Sequence, residues 1–188
     1  MPPVVKPEAV LKRSEELINV GQASAALQAL HEFTFSRRFK QGPSSSLEPL
    51  MERFMELCVD QRRGRAAKDA LMQYKNAFQN TDPQSIRNVT RHFLKHADAK
   101  VAEARSRADA ANEELDVDDL EESETPESIL LGSVSQDQER DRTDRTLVTP
   151  WLKFLWEAYR TALDILKNNT RLELSLIHIS EPTRQEAI

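Results

Sequence analysis

Two histidines at helical spacing form the pattern in this chain that comes nearest to a metal site. His92 and His96 are four residues apart, so one helix face would present both imidazoles, a spacing that suits zinc. A metalloprotease helix of the His-Glu-x-x-His type also needs a glutamate after the first histidine, and position 93 is Phe. We therefore predict two exposed histidines on a charged helix face, and neither a metal nor another cofactor.

Acidic pairs and a single cysteine are the other groups that could perform catalysis. The carboxylates at 118–119 and 121–122 lie in a stretch too acidic to fold, where nothing fixes their geometry or raises one pKa. Cys58 has apolar neighbours, which predicts a buried, inert thiol rather than a nucleophile. The chain also lacks a phosphate-binding glycine loop and a nucleophile elbow. We predict that the protein is not an enzyme and has no small-molecule substrate.

Two basic clusters could contact RNA or the acidic surface of a partner. The alternative is that these cations only offset helix dipoles at C-terminal ends. In an antiparallel stack the two clusters would lie at opposite edges, so they need not form one patch. Both interpretations stay open for the residues concerned, which are Arg37, Arg38 and Lys40 in the first cluster and Arg62, Arg63, Arg65 and Lys68 in the second.

Composition and charge favour a helical protein with an acidic connector. The 188 residues are 39% hydrophobic and 30% charged and include only 4 glycines. Residues 1–115 carry 18 Lys+Arg against 15 Asp+Glu, whereas residues 116–147 carry 3 against 11. The body is thus too weakly basic for strong nonspecific RNA binding by charge alone. No apolar run could span a bilayer and no secretory leader is present, so we expect a cytoplasmic protein without membrane contact.

Helical periodicity predicts an all-α fold of antiparallel hairpins stacked as a tetratricopeptide-like solenoid. A shift of about 44 residues superposes the first two hairpins, with Ala23 on Ala67, although two unrelated hairpins remain an alternative. A fifth, longer helix begins at Asp82-Pro83 and carries an alanine-rich seam. The predicted helices cover approximately residues 7–21, 23–38, 47–63, 66–80 and 83–115, and Gly21 and Gly64 are expected to end the first and the third.

The last helix holds both tryptophans of the chain. Thr149 and Pro150 fit the start of a helix, and apolar residues then cover most of its circumference. Such a helix is expected to be packed between neighbours. We predict core or subunit-packing roles for Trp151, Leu155, Trp156 and Tyr159.

These features predict four segments. Residues 1–115 form a helical-repeat arm, residues 116–147 an acidic linker with a short helix, and residues 148–173 a buried Trp-rich helix. Residues 174–188 look foreign, because a strand-like run interrupts a helical chain and resembles a translated sequencing adapter.

Several stretches of sequence resemble one family, the large scaffold subunits (A subunits) of eukaryotic translation initiation factor 3. The resemblance looks closest to plant and algal forms and covers about residues 1–173. The family continues into further helices after this point, so the chain resembles a truncated amino-terminal region. The matching stretches are LVTPWLKFLWE at 147–157, LKNN at 166–169, LKR at 11–13 with EEL at 15–17, AAKDALMQYK at 66–75, MELCVD at 55–60, LDVDDLE at 115–121, TPES at 125–128 and DRTDR at 141–145.

The resemblance implies a helical arm that leads into a PCI module in a non-enzymatic scaffold protein. It also implies partners, namely other initiation factor 3 subunits, notably the C subunit, the small ribosomal subunit and messenger RNA. The loop at 41–46 departs from the family pattern, which puts its contacts in doubt. The alternative is a generic helical-repeat adaptor that binds peptides in a concave groove, with Tyr74 and Phe78 as exposed anchors.

Overall fold

The computed structural model describes residues 6–37, 39, 42–119 and 144–167. Within these ranges the chain forms α-helices, turns and no β-strand, so the all-α prediction is confirmed. A short π-helical turn, Asp144–Val148, precedes the last helix. The helices are α1 (Pro7–Asn19), α2 (Ala23–Thr34), α3 (Ser44–Asp60), α4 (Gly64–Phe78), α5 (Pro83–Asp119) and α6 (Thr149–Leu166).

The backbone divides into two compact units. The first comprises Met1–His96 and Glu157–Ile188, and the second comprises Ala97–Trp156. Helices α1 to α4 belong to the first unit, whereas α5 and α6 each contribute residues to both. The four segments predicted from the sequence stay a prediction.

Gly21 ends α1, as predicted. Its φ of 81° lies in the left-handed region, where a side chain would be strained. The Gly21 N–H donates to the Ile18 carbonyl (2.8 Å), and the Gln22 N–H donates to the Leu17 carbonyl (2.9 Å). This pair of bonds is a Schellman motif, which satisfies carbonyls that the helix end would leave free.

The end of α3 has the same motif without a glycine. Arg62 takes the left-handed position with φ 53°, and its N–H donates to the Val59 carbonyl (2.9 Å). The Arg63 N–H donates to the Cys58 carbonyl (2.8 Å). The prediction that Gly64 ends α3 is therefore wrong, because Gly64 is the first residue of α4.

The two hairpins repeat at an interval of 41 residues, and the predicted interval of 44 is wrong. Helices α1 and α3 end at residues 19 and 60, and α2 and α4 begin at residues 23 and 64. The spacing Ala-x-x-Ala-Leu occurs twice in α2, at 23–27 and at 26–30, so the sequence alone allows two registers. The turns select the second register, which places Ala26 on Ala67, Leu30 on Leu71 and Phe33 on Tyr74, all buried.

Helix α2 ends at Thr34 rather than near residue 38, and two hydroxyl groups are hydrogen-bonded to carbonyls of its last turns. The Thr34 hydroxyl donates to the Leu30 carbonyl (2.8 Å), and the Ser36 hydroxyl donates to the Phe33 carbonyl (2.7 Å). Helix α3 begins three residues earlier than predicted, directly after Pro43, whose backbone is extended (φ −67°, ψ 144°).

Aromatic rings form the centre of the first unit. Phe39 contacts the rings of Phe33, Tyr74 and Phe78, with centroids 6.1 to 6.3 Å apart. The Tyr74 hydroxyl is hydrogen-bonded to Ser85, and burial raises the pKa of Tyr74 to about 12. Tyr74 and Phe78 are 0% and 5% exposed, so their predicted role as exposed peptide anchors is wrong.

Helix α5 is longer than predicted and extends to Asp119, into the start of the expected acidic linker. Its predicted apolar seam is buried wherever the structure describes the side chains. The predicted short helix after residue 125 and the strand-like run after residue 174 lie outside the described residues. The buried seam consists of Ile86, Val89, Phe93, Leu94, Ala97, Val101, Ala104 and Ala108.

Candidate protein-interaction surfaces

Helix α6 buries small and aliphatic residues and exposes one of its tryptophans. Trp156 is 55% exposed and Leu152, one turn earlier, is 39% exposed. The prediction that Trp156 lies in the core and that α6 is enclosed on nearly every side is wrong. Trp151, Leu155 and Tyr159 are half-buried. The buried side is formed by Phe154, Ala158, Thr161, Ala162, Ile165 and Leu166.

The prediction was wrong because it rested on hydrophobicity alone. Helix α6 has apolar residues on two sides, and in this chain only one of the two sides is buried. Trp156 and Leu152 are four residues apart, so they lie on one helix face. We call this pair the Trp156 surface. Leu147, for which no packing role was predicted, is 40% exposed in the preceding turn. Beside Leu152, Arg105, Asp109, Val148 and Thr149 complete the lining of a cavity of about 350 Å³.

The basic residues that the structure describes are exposed but differ in their surroundings. Arg37, Arg62, Arg63 and Arg65 are all exposed, and Arg63 lies at the N-cap of α4. Arg62 and Arg63 directly follow the end of α3, where cations can offset the dipole of that helix, whereas Arg65 and Lys68 lie in the first turns of α4. Arg38 and Lys40 lie outside the described residues.

Lys68 differs from the other residues of the second cluster. Its ammonium lies 3.7 Å from the Asp164 carboxylate, which joins α4 to the last turns of α6. Both side chains are about half exposed, so the pair contributes little to stability. The neighbouring Asp164 carboxylate also reduces the positive potential that Lys68 presents to a phosphate.

His92 and His96, which were predicted to be exposed, are half-buried, and each is hydrogen-bonded to a carboxylate. The His92 imidazole lies 2.9 Å from Glu56, and the His96 imidazole lies 3.2 Å from Asp60. Two residues four apart on α5 thus face two residues four apart on α3. Among the described residues no group of three or more ligating side chains could hold a metal ion.

Of the two carboxylates that contact these histidines, Glu56 is also hydrogen-bonded to an arginine, Arg53. Partial burial acts to raise its pKa, but hydrogen bonds from Arg53 (2.5 Å) and His92 outweigh burial and hold the pKa of Glu56 below its usual value of 4.5. The carboxylate therefore stays ionised and serves to join α3 to α5.

Cys58 is fully buried, as predicted. Burial raises the pKa of its thiol to about 12, so almost no thiolate exists at neutral pH. In the described part of the chain, no helix is long and apolar enough to cross a membrane.

Comparison with known proteins identifies the family. A family model described as eIF3a, PCI domain, TPR-like region matches residues 8–185, a range that includes most of the tail predicted to be foreign. The origin of that tail stays a prediction.

The most informative relatives are fungal proteins named as the A subunit of eukaryotic translation initiation factor 3. The protein of Mycosarcoma maydis is 73% identical over 174 residues, which is 93% of this chain and 17% of that protein. Those of Aspergillus niger and Aspergillus terreus are 58% and 57% identical over 180 residues, with 92% of this chain and 17% of each relative covered. None of these three is a plant or algal form. The chain, which spans 17% of the length of these relatives, belongs to the eIF3a family through its PCI-associated, TPR-like region.

Proposed function

We propose that this chain is part of a non-enzymatic scaffold subunit of translation initiation factor 3. The scaffold would organise other subunits on the small ribosomal subunit, in the cytoplasm, for recruitment of messenger RNA. The observation that carries the proposal is the 73% identity, over 93% of the chain, to a protein named as the A subunit of this factor. The helical hairpins support it, because stacked hairpins offer long surfaces for other proteins.

The Trp156 surface is our candidate for subunit packing, with the C subunit of the factor as the expected partner by resemblance. Exposed tryptophans flanked by aliphatic side chains are typical centres of protein interfaces. Trp156 and Leu152 belong to the stretch 147–157, the longest stretch that carries the resemblance. Our candidates for packing beside this face are three half-buried residues spaced four apart on the same helix, Trp151, Leu155 and Tyr159.

A pull-down with the full-length gene product tests this assignment. The double variant Leu152→Asp/Trp156→Asp should recover at least about tenfold less of the neighbouring subunit, because a buried carboxylate is costly at an interface. The matched control Lys153→Ala/Glu157→Ala changes exposed residues of the same helix and should recover normal amounts. Normal recovery by the aspartate variant would exclude the Trp156 surface. Absence of every initiation-factor subunit from the wild-type pull-down would overturn the scaffold proposal itself.

The basic residues are our candidates for RNA or partner contact. Arg62, Arg63 and Arg65 carry this proposal in the second cluster, Lys68 contributes less because of Asp164, and Arg37, Arg38 and Lys40 form the first cluster. Reversing the charges of Arg63 and Arg65 should weaken RNA binding and reduce its salt dependence by about two phosphate contacts. An unchanged salt slope would remove this cluster from the RNA interface.

A further inference from the structure

An open groove runs between α1 and α2, separate from the Trp156 surface, and it shares only Arg37 with the basic clusters described above. Its volume is about 590 Å³, which falls within the range of about 300 to 1,000 Å³ typical of ligand sites. The groove lies entirely within the first unit. It is lined by Ala9, Val10 and Arg13 of α1 and by Ala29, Glu32, Phe33, Ser36 and Arg37 of α2 and the turn after it. We call it the Arg13–Arg37 groove.

The floor of the groove is apolar. Val10 and Phe33 are buried, and the small side chains of Ala9 and Ala29 leave the space above them open. Such a floor gains free energy when it covers an apolar side chain, at about 25 cal/mol for each Å² removed from water. The Ser36 hydroxyl already donates a hydrogen bond to the Phe33 carbonyl (2.7 Å), so it does not need an acceptor on the ligand.

The rim of the groove is positively charged. Arg13 and Arg37 are exposed, and no carboxylate in the described part of the chain lies within ion-pair distance of either guanidinium. The single acid of the lining, Glu32, accepts a hydrogen bond from Gln28 (3.1 Å) on its own helix. Toward the described residues, two guanidinium groups thus remain available for carboxylates, which they can bind with paired hydrogen bonds.

We propose that the Arg13–Arg37 groove binds an acidic segment of a partner protein in which bulky apolar side chains are flanked by glutamate or aspartate. The apolar floor receives the bulky side chains, and Arg13 and Arg37 bind the flanking carboxylates. Nucleic acid fits less well, because Phe33 is buried and offers no ring face for base stacking. This interaction goes beyond the proposed scaffold function and uses residues separate from the Trp156 surface.

Fluorescence anisotropy with the 188-residue chain tests the proposal. The probe is a labelled octapeptide, Ser-Glu-Glu-Leu-Phe-Glu-Glu-Ser. One comparison peptide replaces every glutamate with glutamine, and the other replaces leucine and phenylalanine with alanine. We expect the probe to bind at least about tenfold more tightly than either comparison peptide, because each removes one of the two required features.

Variants of the chain locate the binding site. Arg13→Glu/Arg37→Glu reverses the rim charge, and Ala9→Phe fills the groove from an exposed position. Each should weaken probe binding at least about tenfold. The matched control Arg91→Glu/Lys95→Glu makes the same charge change on exposed residues of α5 and should leave the Kd within about twofold. Circular dichroism establishes that each variant is folded.

Three results would overturn the proposal. The first is no difference among the three peptides. The second is equal weakening by the α5 control, which would show that net charge alone attracts the probe. The third is unchanged binding by folded Ala9→Phe, which would place the peptide outside the groove. None of these measurements involves another initiation-factor subunit, so their outcome is independent of the pull-down that tests the scaffold function.

Discussion

Arg62 and Gly21 occupy the same position at the ends of two equivalent helices, with opposite consequences for stability. A side chain in the left-handed region costs roughly 1 kcal/mol, which glycine avoids. We expect Arg62→Gly to raise the free energy of unfolding by about 0.5 to 1 kcal/mol. Gly21→Ala should lower it by a similar amount, although a Cβ there would meet no atom within 4 Å. Urea unfolding measures both changes, and Arg65→Gly, inside α4, is the control that should destabilise.

Glu56 should make the stability of the first unit depend on pH. Because its folded-state pKa lies below the usual 4.5, the folded state holds fewer protons, and the stabilisation is complete above about pH 4.5. It is lost as the pH falls through the lower folded-state value. We expect Glu56→Gln to lower the free energy of unfolding by about 1 kcal/mol at pH 7, with a shallower decline in acid.

The control for this experiment is Glu103→Gln, which removes an exposed carboxylate paired with Lys100 and Arg107. Exposed pairs contribute little, so its effect should stay below about 0.5 kcal/mol at every pH. Parallel acid-unfolding curves for wild type and Glu56→Gln would contradict the assignment of Glu56 as an ionised link.

Close approach of paired helices depends on alanines at equivalent positions in α2 and α4. Ala26 and Ala67 are both 0% exposed, so neither site has room for a larger side chain. We expect Ala67→Leu to lower the free energy of unfolding by about 1 to 3 kcal/mol through overpacking. Ala102→Leu, at an exposed site on α5, should change it by less than about 0.5 kcal/mol. A neutral Ala67→Leu would mean that the helices can separate without loss.

The helices themselves were predictable, whereas their exact register was not. Apolar spacing and the pairing of Pro7 with Gly21 identify α1 before any coordinates are known. The left-handed turn at Arg62 was not predictable, because arginine rarely adopts that conformation and Gly64 stands two residues away. The end of α3 is marked by the hydrogen bonds that the Val59 and Cys58 carbonyls accept from the Arg62 and Arg63 N–H groups, not by a residue type that favours a turn.

The exposed apolar side chains should make the 188-residue chain associate. Leu147, Leu152 and Trp156 are each at least 39% exposed, and such surfaces attract apolar dyes and one another. Sedimentation should show association that increases with concentration, and Leu152→Asp/Trp156→Asp should reduce both association and dye fluorescence severalfold. A monodisperse wild-type chain that leaves the dye dark would contradict this expectation.

The role of these side chains could be predicted only in part. Periodicity places the Trp-rich stretch on a helix, but it cannot show which apolar side meets the rest of the same chain and which awaits another protein. The Arg13–Arg37 groove escaped notice for a related reason. Its two arginines are 24 residues apart in sequence, and only the pairing of α1 with α2 brings them to one rim.

The buried thiol of α3 gives the protein a built-in reporter of opening motions. Cys58 is the only cysteine, it is fully enclosed, and its pKa of about 12 suppresses reaction with disulfide reagents in the folded state. The rate of thiol modification therefore reports how often α3 separates from its neighbours and exposes Cys58. A cysteine introduced at an exposed position would react far earlier, so probes for distance measurements can be attached selectively without removing the native one.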